Sequence, residues 1–187
     1  MKYLYKNTVI GFIIFFNLAY CQNLWAKVGI SVGSGYGVAE IVPIRLGVQK
    51  EFEKKWLSPE HWPIEGYWEA SVYSLNGRAG SNPSSNHRLT AGALAGVFRF
   101  LREKQLMQGW PYFEIGIGAS YLSKKEIGGK NLGIHFQFED RVGVGLRFGE
   151  KRQYDIGYKF FHFSNAYLGR CNHGLNLHMI VLGYWFH

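Results

Sequence analysis

"NLGIHFQFEDRVGVGLRFG", residues 131–149, decides the fold. Its even positions read Ile134, Phe136, Phe138, Asp140, Val142, Val144, Leu146 and Phe148. Its odd positions read His135, Gln137, Glu139, Arg141, Gly143, Gly145 and Arg147. A period of two belongs to a β-strand, and here one face is oily while the other is charged or bare. In a soluble sandwich the oily face turns to a core and the charged face to water. In an outer-membrane barrel the oily face meets lipid and the polar face lines the lumen.

Working outward, similar alternation marks residues 27–36, 38–52, 66–77, 88–102, 110–122, 132–148, 152–166 and 174–187. No stretch of helical period accompanies them. About eight strands is an even number and the smallest usual size for a bacterial transmembrane barrel. "GEKR" at 149–152 reads as a tight turn, whereas "KKWLSPEHWPIEG", "GRAGSNPSSNH" and "SKKEIGGKN" read as longer loops. Trp56, Trp62, Trp68, Trp110, Tyr112, Tyr121, Tyr184, Trp185 and Phe186 stand at strand ends, where interfacial girdles lie. The expectation is an all-β, eight-stranded antiparallel transmembrane barrel of the bacterial outer membrane.

Composition agrees with that expectation. Of the 187 residues 47% are hydrophobic and 17% aromatic, yet the mean hydropathy is only -0.12, so apolar residues are interleaved rather than blocked. The opening "MKYLYKNTVIGFIIFFNLAYCQNLWAK" has Lys2 and Lys6 ahead of an apolar run, the form of a signal peptide over residues 1–26, cleaved after Cys21 or Ala26. Residues 27–187 then form a single barrel domain. Past the leader nothing approaches the ~18 apolar residues of a spanning helix. The formal charge of +8 is scattered among strands and turns with no basic helix, which favours an anionic membrane surface over nucleic acid. Cys171 is alone once the leader is removed, so neither a disulfide framework nor a zinc spacing is present.

Arg45, Glu69, Glu114, Glu139, Arg141, Arg147 and Lys159 mostly share the polar parity. In so narrow a barrel they must pair with one another. Glu114, Glu139 and Arg141 are therefore read as an interior salt-bridge network and not as catalytic acids.

One strand breaks its own pattern. In "DIGYKFFHFSNAYLG", residues 155–169, His162 and Ser164 fall in register with Tyr158 and Phe160 on the lipid face. Polar groups in hydrocarbon cost several kcal/mol unless something uses them. A serine hydroxyl needs a base within reach, and residues i and i+2 on one strand face supply it. Pairing with the last strand across 166–173 puts Asn176 beside His162, where it can hold the ring and its tautomer. The catalytic candidates are thus His162, Ser164 and Asn176. Asp140, which breaks the oily parity of its own strand, falls opposite His162 across the tight turn and is an alternative acid.

"FFHFSNA", with "EGYWEASVY", "PYFEIGIGASYLS", "NLGIHFQFEDRVGVGLRFG" and "NHGLN", resembles the PagL-type lipid A 3-O-deacylases over nearly the whole mature chain. The resemblance implies hydrolysis of the ester-linked 3-hydroxyacyl chain at position 3 of lipid A (lipopolysaccharide) in the outer leaflet. It implies His162 as base, Ser164 as nucleophile and Asn165 in oxyanion support, with no metal and no cofactor. Arg88, Lys130 and Arg170 would attract lipid A phosphates. The family's third member is a glutamate in an N-x-G-x-E pattern; here Asn172 and Gly174 are followed by Asn176. An asparagine in that place resembles outer-membrane phospholipase A, so the alternative reading is a phospholipase-type acyl hydrolase, whose substrate pocket would form in a homodimer. A non-catalytic small barrel is the third reading.

Overall fold

The computed structural model describes residues 28–52, 63–77, 88–102 and 104–186. The expected signal peptide over 1–26 lies outside them, as do Trp56 and Trp62 of the expected girdle. Ten strands follow in order: β1 (Val28–Gly37), β2 (Ile41–Glu51), β3 (Ile64–Gly77), β4 (Arg88–Leu101), β5 (Trp110–Leu122), β6 (Glu126–Ile127), β7 (Lys130–Asn131), β8 (Phe136–Phe148), β9 (Tyr154–Ser164) and β10 (Leu175–Trp185). β6 and β7 form a small hairpin of their own, and the other eight close a barrel in the order β1-β10-β9-β8-β5-β4-β3-β2. β1 closes on β10 antiparallel, from Gly29 against Trp185 to Gly37 against Leu177, so no strand edge is left to lipid.

The sides of the wall are inverted relative to a soluble protein. Outward-facing Val72 and Ile117 are 58% and 65% exposed, while Glu69, Glu114 and Glu139 inside are wholly buried. Such a band is stable only against hydrocarbon, and the expected transmembrane barrel is what the chain forms.

The lumen is filled in layers. Beneath the outer loops, Leu75, Leu89, Leu122, Phe163 and Leu175 pack with Ile127 and Leu132 of the β5–β8 loop into an apolar plug. Below it Glu69 takes ion pairs from both Arg45 and Arg141, and Arg141 also pairs with Glu139. The Tyr73 hydroxyl donates to Glu139 at 2.8 Å. Toward the chain-terminal end Glu114 pairs with Lys159 at 2.7 Å and Arg99 at 2.8 Å, and Arg99 reaches Asp155 at 2.9 Å. Arg147 pairs with Glu65 at 2.9 Å. The expected interior network is therefore present, and these carboxylates are occupied by cations rather than free for chemistry.

Two boundaries differ from the sequence reading by three residues or more. β8 begins at Phe136, not at residue 132, because Leu132 turns inward into the plug and the Gln137 side-chain amide donates to the Leu132 and Ile134 carbonyls. Residues 38–40 form a 3-10 turn, not strand, with Ala39 and Glu40 at φ 61° and 52°.

Candidate active site

β9 is fixed from the inside. Phe161 and Phe163 are buried and meet the Tyr73 ring edge-on at 6.1 and 5.4 Å, and the Arg141 guanidinium lies 4.9 Å from the Phe161 ring centre. With those two locked inward, strand alternation forces Phe160, His162 and Ser164 onto the lipid face. Antiparallel pairing then lines up three outward side chains in one row: Asp140 on β8, His162 on β9 and Asn176 on β10. Ser164 heads the next row, opposite Phe138.

His162 Nδ1 stands 2.6 Å from Asn176 Oδ1. An amide oxygen only accepts, so Nδ1 carries the ring proton and Nε2 is left with its lone pair. That is the tautomer a base needs. Asp140, across the strand, makes neither hydrogen bond nor ion pair with the imidazole; its carboxylate is a nearby charge, not a ligand of the ring. Gly174 makes room on the other side. It lies at φ +60°, and a Cβ there would come 3.1 Å from His162 Cε1, so a larger residue would strain the backbone and crowd the ring.

Asn165 is wholly buried, and every one of its donors is in use. Its side-chain amide donates to the Leu132 carbonyl at 2.8 Å and the Cys171 carbonyl at 2.6 Å, and its backbone N–H donates to Asn172 Oδ1 at 2.9 Å. In this geometry it supports the loop that follows the serine. The next two residues, Ala166 and Tyr167, are left-handed at φ 48° and 62°, a conformation that costs of the order of 1 kcal/mol each outside glycine.

Two outer loops interlock around this bend. Lys130 Nζ donates to the Gly174 carbonyl at 3.2 Å, and His173 Nδ1 donates to the Asn131 carbonyl at 2.8 Å. Gly133, at φ +81°, lies so close to the Cys171 carbonyl that a Cβ would stand 2.1 Å from it. Lys130 is thus spent at least partly on bracing the loop, and Arg88 Nε donates to Asn76 at 3.0 Å. Arg170 is exposed. The roles of Lys130 and His173 in holding the loop were not readable from spacing, since both act across two separate loops, and Asn172 braces its own loop by accepting from the Asn165 N–H. Among the described residues no group of His, Cys, Asp and Glu is arranged to hold a metal ion.

The profile of the lipid A 3-O-deacylase (PagL) family matches residues 43–185, which include every candidate residue above. The lipid A deacylase PagL of Pseudomonas aeruginosa is 30% identical over 157 residues, covering 84% of this chain and 82% of its own. The PagL of Bordetella bronchiseptica is 36% identical over 75 residues, 40% of this chain and 41% of its own. A crystal structure described as that of the outer membrane enzyme PagL superposes with a TM-score of 0.75 at 26% identity, covering 84% of this chain and 99% of that one. An apolar-walled barrel of this kind resides in the bacterial outer membrane. By profile, sequence and fold together, the chain belongs to the lipid A 3-O-deacylase (PagL) family.

Proposed function

We propose that this chain hydrolyses the ester-linked 3-hydroxyacyl chain at position 3 of lipid A as a serine esterase. The observation that carries the mechanism is the hydrogen bond from His162 Nδ1 to Asn176 Oδ1 on the lipid-facing wall, which leaves Nε2 basic. Ser164 Oγ attacks the acyl carbonyl carbon while its proton passes to His162 Nε2. As the C–O bond to the sugar breaks, the imidazolium returns that proton to the departing sugar oxygen. Water, deprotonated by the same nitrogen, then releases the 3-hydroxy fatty acid and restores the serine. Ser164 and His162 are not hydrogen-bonded to each other in this structure; contacts of this kind commonly tighten only when substrate binds.

The oxyanion needs donors near Ser164. Those of Asn165 are committed, whereas the N–H groups of Ala166 and Tyr167 make no backbone hydrogen bond. Those two amides, in the left-handed bend that follows Ser164 by two residues, are the candidate oxyanion donors, and Asn165 holds the bend through its bonds to the Leu132 and Cys171 carbonyls. Outward placement lets a membrane-resident substrate reach the serine without leaving the bilayer. Incubating the purified protein with lipid A and recording masses tests the reading: one 3-hydroxyacyl chain should be lost. Removal of glycerophospholipid chains instead would point to a phospholipase, and no turnover of either would point to a non-catalytic barrel.

Asn176 gives a sharper expectation. A carboxylate can only accept from Nδ1, but an amide can turn and donate, which stabilises the wrong tautomer and offers no charge to the imidazolium. Asn176→Leu should lower kcat by about 100-fold, since nothing then fixes the ring. Asn176→Glu should raise kcat above that of the native chain. Asp140→Asn should cost about 30-fold or more, since one unit charge within ~8 Å at an effective dielectric near 20 is worth about 2 kcal/mol or more. Single-turnover rates on lipid A measure all three, and an Asn176→Glu variant slower than the native protein would show that the amide is the better partner here.

A further inference from the structure

A second polar pair lies on the lipid face, one step along the wall from His162 and Asn176. His178 follows Asn176 on the same face of β10, about 7 Å further from the outer loops at two residues of strand rise. It pairs with Phe160 on β9 and with Tyr36 on β1. Tyr36 stacks on its ring at 5.1 Å with the planes 19° apart, and Phe160 leans on it at 5.1 Å. Tyr158, deeper still and paired with Ile180, reaches diagonally upward so that its hydroxyl stands 2.6 Å from His178 Nδ1.

This is not how an interfacial girdle satisfies itself, because girdle aromatics turn their polar ends toward headgroups and water. Here two polar side chains face each other within the apolar band, held by aromatic rings on both sides. Their hydrogen bonding is also incomplete. Neutral histidine and tyrosine bring two donors, and the bond between them uses one. If the tyrosine donates, the remaining N–H is on Nε2; if the imidazole donates, the remaining O–H is on Tyr158. Either way one donor and spare acceptor capacity point to the lipid side, a costly arrangement in hydrocarbon without a partner.

We propose that Tyr158 and His178 form a subsite that binds the hydroxyl or acyl-ester oxygen on the substrate acyl chain neighbouring the one removed. Just inside the hydrocarbon, such an oxygen is the polar atom that a 3-hydroxyacylated lipid carries and a simple diacyl lipid lacks. The inference rests on the deacylase reading above, for it uses the same substrate and the same wall. Tyr36 and Phe160 flank the subsite as apolar walls along which the chain lies, so the pair selects among lipids without taking part in the chemistry.

The test compares two synthetic lipid A substrates that differ only in the presence or absence of the hydroxyl on the neighbouring chain, assayed with full-length protein in mixed micelles. Native protein should favour the hydroxylated substrate by about tenfold or more in kcat/KM, as a site built around a hydroxyl does. Tyr158→Phe, which removes one oxygen, and His178→Phe, which keeps an aromatic ring between Tyr36 and Phe160, should each bring that ratio close to one. A native ratio near one, or variants that slow both substrates and leave the ratio unchanged, would overturn the subsite while leaving the deacylase reading intact. Release of fatty acid from neither substrate by the native protein would remove both.

Discussion

Ser164→Ala is expected to lower release of the 3-hydroxy fatty acid from lipid A by at least about 1,000-fold, the residual being what oxyanion contacts and binding supply alone. The serine is the last residue of β9, half-buried on the outer face, and belongs to neither apolar cluster of the interior. Its loss therefore removes a nucleophile and no packing. The variant should run with the folded, heat-modifiable mobility of the native barrel on a detergent gel and unfold at the same denaturant concentration. His162→Ala should match it in rate, and combining the two should cost little more than either alone, because residues that act as one unit are not additive. Additive losses, or substantial activity in Ser164→Ala, would mean that a water activated by His162 attacks the ester directly.

The strand pattern was legible because its period is two and its charge sits on the wrong side for a soluble protein. Glu139 and Arg141 share a parity with glycines, and only a lumen holds charges and bare backbone together. The facing of Asn176 and His162 was also legible, since both lie at similar distances from the 165–174 loop and antiparallel pairing fixes the rest. What the pattern could not convey lies in the loops and on the diagonals. The β6–β7 hairpin has two-residue strands, too short for any period, yet its Ile127 closes the plug and its Lys130 holds the Gly174 carbonyl. Asn165 is adjacent to the serine in sequence, which suggests an oxyanion donor. Its actual partners, Leu132 and Cys171, follow from the fold of two loops and from no local spacing. Tyr158 and His178 each read as one more aromatic on an oily face, and their bond crosses two strands diagonally at a distance only long side chains span.

Glu69→Ala is expected to destabilise the barrel by about 3–5 kcal/mol, the cost of leaving buried charge uncompensated. Glu69 is wholly buried and is shared by two guanidiniums, those of Arg45 and Arg141, while Gln49 donates to it at 2.6 Å. Without it, Arg45 has only neutral partners, the Tyr73 hydroxyl and Ser31 Oγ, both at 3.0 Å. The injury should reach the outer face. Arg141 lies beneath the Phe161 ring and is the chain neighbour of Asp140, so its displacement loosens the inward anchor that turns His162 outward. Unfolding midpoints in vesicles, with deacylation rates on the fraction still folded, separate the two effects. The decisive comparison is the double variant Arg45→Met/Glu69→Met, which removes one charge of each sign and leaves Arg141 with Glu139. If the network stabilises by compensation, the double variant is more stable than Glu69→Ala although it loses more hydrogen bonds. If Glu69→Ala is as stable as the native barrel, water enters the lumen and solvates the arginines, and β9 is then held outward by Phe161 and Phe163 packing alone.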